Sequence, residues 1–187
     1  MPGYEPFLLC DFHVHTQWSD GKLSVAEVVD LYGATGKFDV IAITDHILMK
    51  KDMLARAGRL ATLGRRAFGV REDDCAAYLE DIAAQARRAW TTYGMLLVPS
   101  TCYLWDRRDE LADLVDVWEA ANRDDLFSVT SLKHFPYVAN SDFHKPKHLH
   151  SWKTLVRSEK TWPAVKDALR QNVDIALTLY RNGSWAA

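Results

Sequence analysis

Cysteine is scarce in this 187-residue chain: Cys10, Cys75 and Cys102 are the only three, widely spaced and odd in number. No disulfide framework or zinc ribbon can be built from them, which suits a cytoplasmic protein. Long apolar runs are also missing, and none approaches the roughly 20 residues of a bilayer span, so no membrane partner is expected. The first residues, Met-Pro-Gly-Tyr-Glu, lack the basic and apolar regions of a signal peptide. Neither sign of charge dominates: Lys+Arg 23 stands against Asp+Glu 25, a net charge of −2. Composition therefore gives no case for nucleic acid or a membrane surface, since counterion release needs clustered Lys and Arg. Three motifs are absent as well. Without G-x-S-x-G, a P-loop or G-x-G-x-x-G, nucleophile-elbow and nucleotide-cradle readings have nothing to stand on.

What is present reads as one α/β domain over 1–187, with no repeat, low-complexity tract or linker. Residues 7–12 form a short apolar run ending in His13-Val14-His15. Ser24, with Glu27 three residues on, is a capping box that predicts an amphipathic helix closed by Gly33 and Gly36. Residues 39–43 are too short and too β-branched for a helix and predict a buried strand. Strand, helix and strand in that order form the unit of a parallel sheet or barrel. Further on, the pattern predicts a helix over 73–93 with Leu79, Ile82, Ala83, Ala86 and Trp90 on its apolar face. Strands are predicted at 95–98, 115–120, 137–140 and 174–179. Helices are expected at 107–114, from Asp124 or Asp125 to about His134, and at 163–171.

Three polar clusters each follow a predicted buried strand: His13/His15, Asp45/His46 and Asp142/His144. In an α/β barrel the C-terminal strand ends converge on one face, so residues distant in sequence meet there. Imidazole nitrogen and carboxylate oxygen are the usual ligands of Zn²⁺, Mn²⁺ and Fe. Two histidines at i and i+2 on a strand point to the same side and can face one ion. Asp20, on the loop after the first motif, is placed to join a second cluster. The other histidines, His134, His148 and His150, read as solvent-facing, and Trp118, Trp152 and Trp162 as packing. The basic residues Lys50, Lys51, Arg56, Arg59, Arg65 and Arg66 read as a solvated helix face.

Asp11-Phe12-His13-Val14-His15-Thr16 with Ser19-Asp20-Gly21, then Ile43-Thr44-Asp45-His46, then Asn140-Ser141-Asp142-Phe143-His144, resembles the PHP (polymerase and histidinol phosphatase) family of metal-dependent phosphoesterases. The motifs follow the family's order and span residues 11 to 144. The resemblance implies a distorted (β/α)7-type barrel with up to three divalent ions at its strand ends. It implies hydrolysis of a phosphate ester, on a phosphorylated small molecule or a nucleotide or oligonucleotide end. His13, His15 and Asp142 would hold one ion, Asp20, His46 and His144 another, and Asp45 or an Arg near the mouth would orient water or substrate.

The match has a gap. The family's bridging Glu should stand in the turn after the third strand, where this chain has Pro99-Ser100-Thr101-Cys102-Tyr103. The later strand ending in His-Pro has no counterpart either. About one strand–helix–strand stretch of the barrel is therefore expected to be missing, and fewer ions than three are expected. Cys102 is either a soft stand-in ligand or a small buried hydrophobe. A metal-binding but non-catalytic module with the same fold is the alternative function. An amidohydrolase, which also uses H-x-H after a first strand, fits least.

Overall fold

The computed structural model describes residues 6–48, 69–100, 116–124 and 136–181. The elements run β1 (Leu8–Val14), α1 (Val25–Gly33), β2 (Val40–Ile43), β3 (Ile47–Leu48), β4 (Val70–Arg71), α2 (Cys75–Tyr93), β5 (Leu96–Pro99), β6 (Trp118–Ala121), β7 (Tyr137–Ala139), β8 (Trp152–Val156), α3 (Trp162–Gln171) and β9 (Ile175–Leu179). The turn at Cys102, the basic residues from Lys50 to Arg66, the helix expected at 107–114 and His134 lie outside the described residues.

Five strands form one sheet in the order β5-β2-β1-β8-β9, and β6 pairs with β7 in a separate parallel ribbon. β5, β2 and β1 are parallel, as the strand–helix–strand reading requires. β8 then runs antiparallel to both β1 and β9. The expected (β/α)7 barrel is not shown: among the described residues no sheet closes, and β5 and β9 are the outer strands of an open mixed sheet. An antiparallel strand beside β1 breaks the all-parallel pattern that such a barrel repeats.

Side chains leave the sheet alternately. Leu9, Ile41, Ile43 and Leu97 pack towards α1 and α2, against Val25, Val28, Val29, Tyr32, Tyr78 and Ile82. Cys10, Phe12, Val40, Ala42 and Val98 pack on the other side, towards Val138 of β7 and Val165 and Leu169 of α3. The capping box is formed, with Glu27 N donating to Ser24 Oγ and Ser24 N donating back to Glu27 Oε2. α1 and α2 meet closely at Gly33, where a Cβ would lie 2.3 Å from the Tyr93 ring.

Of the face expected for α2, Ile82 and Ala86 pack in or against the core, and Leu79 and Trp90 do not. Tyr78, Ile82 and Ala89 are its buried residues, whereas Leu79 and Trp90 are each 50% exposed. Two apolar stripes run along this alanine-rich helix, and the rings of Tyr78 and Tyr93 decide which one faces α1 and the sheet. β8 was not expected at all. Its second residue is Lys153, fully buried, with Nζ 3.2 Å from Asp11 Oδ2.

Candidate metal centre

β1 carries a bulge. Asp11 pairs with Ile41 but Val14 pairs with Ile43, so β1 spends one more residue than β2 over the same rise. Val14 thereby joins the α1/α2 side with Leu9, and His13 and His15 are turned to the opposite side. Bulges re-aim side chains in this way beside functional sites. Residues 140–144 lie alongside: Phe143 N donates to His13 O (3.0 Å) and His15 N donates to Phe143 O (2.8 Å). Asp142 sits in the left-handed region at φ 48 and turns its carboxylate back towards the two histidines. A non-glycine residue held there costs conformational energy, which its surroundings must supply.

Three electron-rich atoms converge as a result. His13 Nε2 and His15 Nε2 are 2.9 Å apart, and each is 3.3 Å from Asp142 Oδ1. The other oxygen of Asp142, Oδ2, is held 3.2 Å from the guanidinium of Arg123. His15 is buried, and burial together with the neighbouring imidazoles of His13, His144 and His46 outweighs Asp142 to lower its pKa. It is therefore neutral at pH 7, with one bare ring nitrogen. Burial raises the pKa of Asp142, but the hydrogen bond with His15 and the charges of His13, His144 and Arg123 prevail and bring it to about 2. Two imidazoles and a carboxylate aimed at one point are the donor set that suits a divalent ion.

A second cluster adjoins the first. His15 Nδ1 is 3.6 Å from Asp20 Oδ1, and His144 Nε2 is 3.1 Å from Asp20 Oδ2. The imidazole of His46 lies 4.7 Å from that of His15 between ring centres. Two ligand sets among the described residues could hold an ion: His13/His15/Asp142 and His15/Asp20/His46. A neutral imidazole has a single bare nitrogen, so His15 serves one of them. His144 stands adjacent to Asp20, with Nε2 3.1 Å from its Oδ2. Burial disfavours the charged form of His144, but Asp20 and the Asp142 carbonyl outweigh it and its pKa is raised.

The loop bearing Asp20 is anchored by Asp45. Thr16 N and Thr16 Oγ1 donate to its two oxygens at 2.7 and 2.6 Å, and Ser19 Oγ donates as well. Asp45, expected to orient water or substrate, is fully buried, and its oxygens accept from Thr16 and Ser19. Gly21 closes the same turn so tightly that a Cβ would lie 2.4 Å from His15 O.

Three neighbours of the site escaped the sequence reading. Glu119, on β6, accepts from His13 Nδ1 at 2.8 Å. Its signal is an acidic residue within the otherwise apolar run Trp118–Ala121. Arg123 follows the strand and had no signal. His148 was expected to face solvent, yet it is buried, with Nδ1 accepting from Arg123 (2.7 Å) and from His144 N (3.1 Å). Burial and the charges of Arg123, Lys145, His144 and Lys147 lower its pKa to about 4. A short turn of 3-10 helix over Pro146–Leu149 folds it inward. His150 is exposed, as expected, and stacks on Tyr180.

No protein-family model matches the chain, and no curated protein matches it. Among solved structures it is similar to a two-domain protein from Bacteroides vulgatus ATCC 8482 that contains a predicted PHP-like metal-dependent phosphoesterase. The TM-score is 0.62 at 17% identity, covering 96% of this chain and 67% of that one. At that identity the likeness establishes a shared fold. Among the described residues, no helix is long and apolar enough to cross a membrane.

Proposed function

We propose that this chain is a metal-dependent phosphoesterase that cleaves a phosphate ester by hydrolysis. The observation that carries the reading is the convergence of His13 Nε2, His15 Nε2 and Asp142 Oδ1, two ring nitrogens and a carboxylate oxygen within 3.3 Å of one another. These three residues hold one ion, Zn²⁺, Mn²⁺ or Fe, and Asp20, His46 and His144 hold a second. A bound divalent ion offsets charge on the phosphoryl oxygens and lowers the pKa of a water molecule. The chain's own residues prepare the seat. Arg123 takes Asp142 Oδ2 and leaves Oδ1 to face the histidines. Asp45 fixes the Thr16–Ser19 turn and so the position of Asp20. The substrate is a phosphorylated small molecule or a nucleotide or oligonucleotide end, and the reaction adds water across its P–O ester bond.

A second reading, a metal-binding module without catalysis, draws on one observation. Glu119 is engaged behind His13 rather than between the two clusters. One assay separates the two. The full chain is stripped of metal, reloaded with Mn²⁺ and given a generic aryl phosphomonoester, beside Asp142→Asn. Phosphoesterase action predicts Mn²⁺-dependent phosphate release that falls at least about 100-fold in the variant. Bound Mn²⁺ with no release favours the second reading. Undiminished release in excess chelator refutes both.

A further inference from the structure

Glu119 is a carboxylate beside the site that the proposed ligand sets leave unused, and both of its oxygens have defined partners. Oε2 receives His13 Nδ1 at 2.8 Å and Asn140 Nδ2 at 3.0 Å, and Oε1 receives Asn122 Nδ2 at 2.8 Å. Neither asparagine is free to turn its amide over. Asn140 Oδ1 accepts from Phe12 N at 2.9 Å, and Asn122 Oδ1 accepts from Asp124 N at 2.9 Å. Both amides therefore present N–H to Glu119 and fix it with its oxygens as acceptors only. An acceptor on His13 Nδ1 requires that this nitrogen carry the proton. In the neutral ring, His13 Nε2, which faces His15 and Asp142, is then bare.

We infer that Glu119 is a positioning residue for His13: it selects the ring tautomer whose bare Nε2 can take a metal ion, and it makes that nitrogen a stronger donor. Metal-bound imidazoles commonly give their other N–H to a carboxylate, and loss of such a partner weakens metal affinity about 10–100-fold. The same contact explains why this carboxylate cannot also serve as a bridging ligand. Both of its oxygens are occupied by N–H donors, and its place is behind the imidazole. The metal half of the inference rests on the reading under Proposed function; the tautomer half does not.

Two measurements test it. In metal-free full-length protein labelled with ¹⁵N-histidine, the His13 resonances, assigned with His13→Ala, should show a protonated Nδ1 and a bare Nε2. A protonated Nε2 with a bare Nδ1 overturns the proposal. The second measurement is Zn²⁺ affinity by competition with a chromophoric chelator, for the wild type, Glu119→Gln and Glu119→Ala, and for each in a His13→Ala background. Glu119 acting through His13 predicts a loss of about 10–100-fold in the single variants. It also predicts less than a twofold further change once His13 is gone, because the two residues then form one coupled unit. Equal losses in both backgrounds, or no loss in either, overturn the proposal. Glu119→Gln preserves shape should the alanine variant fold poorly. The expected tautomer in a protein that takes up no Zn²⁺ supports the role of Glu119 and refutes the metal reading instead.

Discussion

Replacing Asp11 by Asn removes the charge that balances Lys153 inside the sheet. Both side chains are fully buried, and their charged groups are 3.2 Å apart. Asp11 also accepts from Tyr32 Oη (2.8 Å), Ser141 N (3.1 Å) and Ser141 Oγ (2.6 Å), so the pair ties β1 to α1, to β8 and to the Asp142 segment. Removing one partner of a buried pair costs about 3–5 kcal/mol, because the other charge is left without compensation. An independent limit agrees. Lys153 can escape by releasing its proton, and from an ordinary pKa of 10.5 this costs about 5 kcal/mol at pH 7.

The escape has a pH signature. Burial already lowers the pKa of Lys153 against the pull of Asp11, and losing Asp11 lowers it further. A native state that binds fewer protons than the unfolded state gains stability as pH rises. The gain begins above the folded pKa and is complete above the unfolded one. Asp11→Asn should therefore recover about 1.4 kcal/mol per pH unit over a window that reaches well below that of the wild type. Urea unfolding at pH 7, 8 and 9 measures it, with Lys153→Met and the double variant beside it. The double variant should be more stable than Asp11→Asn alone. A loss below about 1 kcal/mol, with the wild-type pH dependence, would refute the account of this pair.

Three further outcomes follow from the geometry. Gly21→Ala pushes a methyl group into the His15 carbonyl and should cost about 1–3 kcal/mol, read as a lower melting temperature; an unchanged melt contradicts the close approach. Ser24→Ala removes the α1 cap and should cost about 1 kcal/mol in urea unfolding without altering metal content. His46→Ala should lower the bound Mn²⁺ per chain without abolishing it, because His13, His15 and Asp142 remain; elemental analysis of the purified variant checks this.

Local signals carried the sequence reading. The Ser24–Glu27 capping box, the strand at 40–43 and the three strand-end clusters lie within short stretches, and the structure brings His13, His15, Asp20, His46, Asp142 and His144 together. The misses depended on distant partners. β8 was hidden because Lys153 looks like a solvent residue until Asp11 is beside it. Leu79 and Trp90 fall outside the packed face of α2, which keeps Ile82 and Ala86, because a period alone does not choose between adjacent apolar stripes and the packing of Tyr93 on Gly33 does. The roles of Glu119 and Arg123 needed β6 to lie against the histidines, which no periodicity announces. The barrel came from the resemblance, and antiparallel β8 is the feature that departs from it.

The claim at the centre of this account is that the clusters after β1, β2 and β7 form one metal centre. Crystals of the full chain grown with Mn²⁺ and measured at the manganese absorption edge test it directly. The account predicts an anomalous peak bounded by His13 Nε2, His15 Nε2 and Asp142 Oδ1, and no such peak in Asp142→Asn. Fully occupied Mn²⁺ elsewhere on the chain, with those three atoms bound only to one another, would contradict it.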